Sequence, residues 1–237
     1  MKDKLILKIF IITLISLISL SCDDDSTGGE TGLTVYPTLD LIGESSVIIE
    51  KGVDFEDPGY TSFLSGEDVS DEVIVTSNVD VNVPGVYLVT YEITNSDGYP
   101  VSKSRTVYVA DTTPSVISTS MHSVLTDTHR INHDSDDART DFAGYEVLFL
   151  QTEPGVFYCS DLLGGYYDQR AGYGSGYAMN GYFKLNEDNT ISLISSSVPS
   201  WGDSADGMRN GFYDPSTGNI AWTIDYAGIL EFNIIFD

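Results

Sequence analysis

The clearest period in the chain is two residues. From Gly85 to Ile93 the side chains alternate, with Val86, Leu88, Thr90 and Glu92 on one side and Tyr87, Val89, Tyr91 and Ile93 on the other. A pleated strand points successive side chains to opposite faces, so the stretch predicts a half-buried strand whose second set faces a core. Ser104–Ala110 repeats the pattern, with Val107 and Val109 as core positions, and Asn95-Ser96-Asp97-Gly98 is the turn between the two. Shorter β segments precede them at Leu33–Tyr36, Val47–Glu50 and Glu72–Thr76. No convincing 3.6-residue period interrupts this run. Residues 33–111 therefore predict a small sandwich of short strands.

Asp111-Thr112-Thr113-Pro114 marks a boundary, because two hydroxyl residues and a proline follow a strand. In residues 112–237 the stretch Val116–Arg130 predicts one or two edge strands, and His133–Asp141 a polar loop. Strands follow at Tyr145–Leu150, Gly155–Tyr158, Ala178–Leu185, Thr190–Ser196, Gly207–Tyr213, Asn219–Ile224 and Ile229–Phe236. Two hairpin turns, Asn186–Asn189 and Asp214–Gly218, join neighbours among them. The last strand alternates Leu230, Phe232 and Ile234 on one face. Sequential antiparallel strands suit either a barrel or a two-sheet sandwich, and periodicity does not choose between them. The expected class is all-β, with a sandwich followed by an antiparallel barrel or sandwich.

The N-terminus reads differently. Lys2, Lys4 and Lys8 lead into Ile9–Leu20, which is apolar except for Thr13, Ser16 and Ser19. This is the layout of a secretory signal, and it falls short of the roughly 20 apolar residues of a membrane span. Ser19-Leu20-Ser21-Cys22 resembles the lipobox of bacterial lipoproteins. The resemblance implies that residues 1–21 are removed and that Cys22 is acylated. Residues 22–32 then form a tether, acidic at Asp23-Asp24-Asp25 and small or polar through Ser26-Thr27-Gly28-Gly29-Glu30. The acidic run resembles the surface-export signal of lipoproteins in the Bacteroidetes group. By that resemblance the protein sits on the outer membrane, held by its acyl chains and facing outward.

Charge narrows the partners. The chain carries 36 acidic and 11 basic residues, a formal charge of -25. Loss of residues 1–21 removes three lysines and one aspartate and moves the charge to -27. A polyanion would be repelled, which excludes nucleic acid. At 41% hydrophobic residues the chain is no disordered acidic tail. With Cys22 acylated, Cys159 is the one remaining cysteine and no intramolecular disulfide framework is available.

Both halves resemble known families. Glu50-Lys51-Gly52, Phe55-Glu56-Asp57-Pro58-Gly59-Tyr60, Asp68-Val69-Ser70, Pro84–Tyr91 and Arg105–Val109 resemble the bacterial immunoglobulin-like surface domains, which serve as spacers or binding scaffolds. Asp161–Tyr167, Gly181-Tyr182-Phe183, Trp201-Gly202 and Asp214–Trp222 resemble the C-terminal domain of Bacteroides surface lipoproteins that carry such a module in the same order. The second resemblance implies architecture and adds no chemistry.

The richest candidate site runs from Gly164 to Tyr182. Tyr166, Tyr167, Tyr173, Tyr177 and Tyr182 stand there among Gly164, Gly165, Gly172, Gly174, Gly176 and Gly181. Tyrosine offers a wide apolar face and a hydroxyl at low entropic cost, and glycine lets such rings crowd together. With Trp201, the residues Tyr166, Tyr167, Tyr173 and Tyr177 form a candidate surface for a glycan or a protein. The competing reading places these aromatics in the core, as is expected of Trp222.

Other chemistry is poorly supported. His129 and His133 would share a face only on a helix that their flanks do not predict, and the H-E-x-x-H pattern is missing. Asp134, Asp136 and Asp137, and separately Asp203 and Asp206, are acidic clusters without the EF-hand spacing. No carboxylate pair stands out for glycoside hydrolysis, no G-x-S-x-G occurs, and the glycines lack a βαβ context. Cys159 reads as a small buried residue. The expectation is a non-enzyme with no cofactor and no metal. It is a surface lipoprotein capturing polysaccharide through aromatic loops or, alternatively, a structural or adhesive protein bound to a protein partner.

Overall fold

The computed structural model describes residues 34–237. The signal segment, Cys22 and the acidic tether lie outside the described residues. In the first half, seven strands run β1 (Thr38–Leu41), β2 (Ser46–Glu50), β3 (Tyr60–Leu64), β4 (Glu67–Asp68), β5 (Ile74–Ser77), β6 (Gly85–Thr94) and β7 (Pro100–Ala110). One sheet has the order β1-β3-β4 and the other β2-β7-β6-β5. All pairs are antiparallel except β2 with β7. Of the expected first strand at 33–36, Leu33 lies outside the described residues and Thr34–Tyr36 form no strand; the first strand begins at Thr38, after Pro37.

The alternation along β6 and β7 places Val89, Tyr91, Ile93, Val107 and Val109 in the core, joined by Leu39 from β1. Arg105 shares their parity and is only 1% exposed. Its guanidinium pairs with Asp57 and donates to the carbonyls of Ile42 (2.6 Å), Glu44 (3.0 Å) and Gly59 (3.3 Å). The Tyr91 hydroxyl donates to the other Asp57 oxygen at 2.7 Å. A buried charge survives only when paired and hydrogen-bonded, and this one, which also donates to the Tyr91 hydroxyl at 3.3 Å, is tied to five separate residues. Tyr60 packs its ring against Tyr91 at 5.1 Å and is half-buried.

The second half holds ten strands: β8 (Ser120–Ser123), β9 (His129–Asn132), β10 (Ala138–Asp141), β11 (Glu146–Glu153), β12 (Val156–Cys159), β13 (Asn180–Leu185), β14 (Ile191–Ser197), β15 (Gly207–Tyr213), β16 (Ile220–Tyr226) and β17 (Leu230–Phe236). They make two five-stranded antiparallel sheets, β10-β9-β17-β16-β15 and β14-β13-β12-β11-β8. Single bridges, Val124–Phe236 and Thr190–Phe212, link the two sheets. No continuous ladder crosses either seam, so the unit is a sandwich and not a closed barrel. The expected polar loop at 133–141 is instead the turn and second strand of the β9–β10 hairpin. Asp136 and Asp137 both adopt φ 54° at its tip, a conformation that short Asp side chains tolerate.

Between the sheets the core is aromatic. Phe149 packs on Phe183 (5.1 Å), Phe236 (5.0 Å) and Trp222 (5.7 Å), and Phe157 stacks on Phe183 (5.3 Å). Trp222 is 2% exposed and Cys159 0%. Outward-facing residues of the two halves meet in a tyrosine layer: Tyr108 of β7 lies 6.4 Å from Tyr158 of β12, whose cross-strand neighbour is Tyr182. The joint is also hydrogen-bonded. The Asp111 N–H donates to the Gln151 carbonyl at 2.8 Å, and Gln151 Nε2 donates to the Thr113 carbonyl at 2.7 Å and Asp111 Oδ1 at 3.2 Å.

Candidate ligand-binding site

The glycine-rich segment between β12 and β13 is anchored from inside by one aspartate. Asp161, 3% exposed, accepts the backbone N–H of Leu163 (2.9 Å) and Met179 (3.2 Å) on Oδ1 and of Gly165 (3.1 Å) on Oδ2. It thereby joins the two ends of the segment. Burial raises its carboxyl to about 7, against the opposing pull of those three N–H donors. The indole N–H of Trp222 donates to the Leu162 carbonyl at 2.9 Å and fixes the segment to the core.

From Gly165 the chain enters a wide helical turn, Tyr166–Arg170, with Arg170 N–H to Gly165 O at 2.9 Å and Ala171 N–H to Tyr166 O at 3.0 Å. Such i to i+5 turns are rare and cluster at functional sites. Gly165 has φ +76°, and a Cβ there would meet the Tyr145 Cβ at 2.9 Å, so both conformation and space require glycine.

The five aromatic residues singled out by sequence form one continuous cluster, but in two layers. Tyr166 is the lower layer. It is 6% exposed, packs on Phe142 (5.1 Å) and Phe232 (5.2 Å), and has the guanidinium carbons of Arg130 and Arg170 at 5.1 and 4.9 Å from its ring. A ring enclosed in this way cannot contact a ligand, and its reading as a binding residue is corrected: it supports the site from beneath. Cation–π contacts to two arginines help hold it there.

The upper layer is Tyr167, Tyr173, Tyr177 and Trp201. Tyr167 lies edge-on to Trp201 at 4.8 Å and stacked with Tyr173 at 6.1 Å. Tyr177 is 5.6 Å from Tyr173 and 5.1 Å from Trp201. Tyr173 is 56% and Trp201 41% exposed, while Tyr167 and Tyr177 are half-buried. Burial raises the Tyr167 phenol above its ordinary value, with Arg130 pulling the other way. Trp201 comes from the β14–β15 connection, which docks through Ser200 N–H to Gly176 O at 2.8 Å. That loop is itself held by Tyr226, whose hydroxyl donates to Asp203 Oδ2 at 2.8 Å, and by Gly228 N–H to Asp206 Oδ2 at 2.7 Å. Two loops distant in sequence thus present one stepped aromatic platform. Its exposed faces suit the C–H face of a sugar ring or an apolar protein surface.

The remaining candidates have structural partners. His133 Nδ1 bonds Asp137 at 2.6 Å, which raises its pKa, and its Nε2 lies 3.6 Å from Glu231. His129 points Nδ1 at the Asp127 carbonyl, 2.7 Å away. Among the described residues no three His, Cys, Asp or Glu side chains gather as a metal-ligand group. Burial pushes the Cys159 thiol well up. Asp161 and Asp168 do come from the same segment, but both Asp161 oxygens already accept backbone N–H groups, so it is not free to transfer protons to a substrate. Sequence reasoning missed Asp161. An aspartate followed by Leu-Leu-Gly-Gly, with N–H groups two and four residues on, was the available sign.

Two family models match the chain. One, described as bacterial surface protein, Ig-like domain, covers residues 39–109, and a C-terminal-domain model covers residues 113–237. Fold and models together define a bacterial surface protein made of an immunoglobulin-like domain and a β-rich C-terminal domain. The chain belongs to the lipoprotein family that includes BT2262 of Bacteroides thetaiotaomicron. The crystal structure of that lipoprotein is 46% identical to it, with a TM-score of 0.72 over 85% of this chain and 100% of that one. Two structures from Clostridium perfringens ZmpB also match. One holds the M60 catalytic domain with CBM51-1 and CBM51-2 (18% identity, TM-score 0.28, 53% of this chain and 15% of that one), and the other holds CBM51-2 with GlcNAc and INT domains (19%, 0.27, 52% and 31%). Likeness of that size carries no argument about ligand. A search of the curated proteins finds no match.

Proposed function

We propose that this lipoprotein is a non-catalytic glycan-capture protein whose ligand lies on the platform of Tyr167, Tyr173, Tyr177 and Trp201. The observation carrying this reading is the exposure of Tyr173 and Trp201, 56% and 41%, on rings packed against one another where a hydrogen bond, Ser200 N–H to Gly176 O, joins their two loops. Preorganised rings lose little entropy on binding. The test is a glycan array on the purified protein, run with calcium and with chelator and weighted to neutral polysaccharides, since a strongly acidic body repels acidic ones. Saturable binding to one glycan class, lost in Trp201→Ala and Tyr173→Ala with the fold intact, supports the reading. A blank array from folded protein in both buffers overturns it.

A second reading, adhesion to a protein partner, rests on edge strand β5. All its residues are exposed, Ile74 by 65% and Val75 by 43%, and Leu88 of neighbouring β6 adds 46%. An open edge with apolar side chains is a template for strand pairing. Cross-linking on intact cells separates the readings, because a partner captured through β5 is lost in Ile74→Lys and kept in Trp201→Ala.

For location we read residues 1–21 as a signal peptide, 22–32 as a tether, and 33–111 and 112–237 as the two domains. Cys22 carries the acyl anchor, on the outward face of the outer membrane. Labelling with radioactive palmitate should be abolished by Cys22→Ser, and external protease should digest the wild-type protein on whole cells. Labelling that persists in the variant, or full protection from protease, sinks that placement.

A further inference from the structure

A second candidate site lies away from the aromatic platform. A cleft of about 670 Å³ opens between the two domains, with β2 and Tyr108 on one wall and Tyr158 and Asp168 on the other. Ligand pockets typically fall between about 300 and 1,000 Å³ and favour domain junctions. At the joint, Gln151 of the second domain hydrogen-bonds Asp111, the last residue of the first.

The lining decides the chemistry. It includes Glu146, Asp161 and Asp168 and contains no Lys, Arg or His. Asp161 is saturated by backbone N–H groups, and burial favours its neutral form, so it is no partner for a ligand. Glu146 accepts from the Ser123 hydroxyl at 2.7 Å. Asp168 is different. It is half-buried, no side-chain hydrogen bond holds it among the described residues, and burial raises its carboxyl above the ordinary range. The cleft therefore contains a partly desolvated carboxylate that lacks a donor. Tyr108 and Tyr158, with ring centroids 6.4 Å apart, line the same cleft. An anion would be repelled. A neutral polyol would cover Asp168 without neutralising it. A cation with N–H donors pairs the carboxylate and gains from aromatic rings as well. Ile48 and Met121, 44% and 53% exposed, give an alkyl stem apolar surface.

We propose that the inter-domain cleft binds an alkylammonium or guanidinium group, paired with Asp168 and flanked by Tyr108 and Tyr158. This site is independent of the glycan platform. The probes are butylammonium and butylguanidinium as free cations, and N-acetylated, C-amidated Gly-Lys-Gly and Gly-Arg-Gly as the same groups on a chain. Butyrate and glucose are the controls. The readout is the backbone amide shifts of Asp168, Gln169 and Ala178 by NMR. Saturable shifts with the cations and not with the controls are expected, weakened about tenfold or more in Asp168→Asn, restored in part by Asp168→Glu and unchanged in Trp201→Ala. If only the peptides saturate, the group is recognised on a chain; if the free cations do too, the headgroup suffices. The proposal is overturned by unchanged affinity in folded Asp168→Asn, by glucose shifting these amides while the cations do not, or by no saturation up to about 50 mM.

Discussion

The two domains belong to one structural class and solve the problem of the interior in opposite ways. The second domain fills its sandwich with rings: Trp222, Phe149, Phe157, Phe183, Phe232 and Phe236 are all essentially inaccessible. The first domain is smaller, and its interior holds an arginine, 1% exposed, bound to an aspartate, a tyrosine hydroxyl and loop carbonyls. Apolar burial grows with domain size, so a small sandwich gains less from it. In the first domain the loops that flank β1 and β3 are held by a charge network reaching inward, where the second uses shape-fitted aromatic surface. One interior should therefore fail through cavities and the other through orphaned hydrogen-bonding groups.

Trp222→Ala is the harshest way to probe this contrast. It deletes the ring at the centre of the stack and the indole N–H bond to Leu162, and the expected loss is about 4 kcal/mol. Calorimetry should show the transition of the second domain moving to lower temperature while that of the first stays in place. A common shift would mean that the tyrosine layer couples the two domains into one cooperative unit. Arg105→Met should cost about 3 kcal/mol in the first domain. Replacing a buried ion pair with a hydrophobic side chain is often tolerated, but here Asp57 and the carbonyls of Ile42, Glu44 and Gly59 would lose their donor. A neutral or stabilising Arg105→Met would show that the network serves something other than stability.

The contrast also explains what could be read from sequence. Strands such as β6, β7 and β17 were legible because one face is buried and a period of two records that directly. The same parity that marks Val107 and Val109 also marks Arg105, so the buried arginine was readable once charge was not assumed to mean exposure. The tyrosines were not separable. Tyr166 in the core, Tyr173 on the platform and Tyr158 in the layer between domains have the same side chain, amphipathic enough for all three settings. Only tertiary placement distinguishes them. The hairpin at 129–141 was hidden for a related reason: its strand residues are mostly polar and at least partly exposed on both faces, so no alternation exists to be seen. Asp161 escaped because a carboxylate beside glycines normally signals a solvated turn.

Asp161 offers a prediction of intermediate size. Asn in its place keeps the volume but turns an amide group toward backbone N–H donors, at a cost of about 2 kcal/mol. The pH dependence has a definite sign. The folded carboxyl sits at about 7, above its unfolded value near 3.8, so folding favours the protonated form. That contribution is complete below pH 4 and is lost as pH rises toward 7. Asn does not titrate. The deficit of Asp161→Asn relative to wild type should therefore be largest near pH 4 and shrink by pH 7, as measured by urea unfolding across that range. A deficit that grows with pH would mean that the three N–H donors outweigh burial and hold the group as a carboxylate.

The smallest effect is expected where function is proposed. Trp201 is 41% exposed and touches Tyr167 and Tyr177 by its edges, so Trp201→Ala should cost about 1 kcal/mol or less in unfolding free energy. Tyr173→Ala, at 56% exposure, should cost less still. Tyr166→Ala, one residue layer down, should cost about 3 kcal/mol or more, because it opens a cavity against Phe142 and Phe232 and frees two arginines. The ordering separates a platform from a core more sharply than any single value. Rings kept at the surface for binding can be removed cheaply, whereas rings that close an interior cannot. Urea unfolding of the three variants, followed by near-ultraviolet circular dichroism, tests the order. If Trp201→Ala proves as costly as Tyr166→Ala, the upper layer is the outer part of the aromatic core, and the platform loses its claim to be a ligand surface.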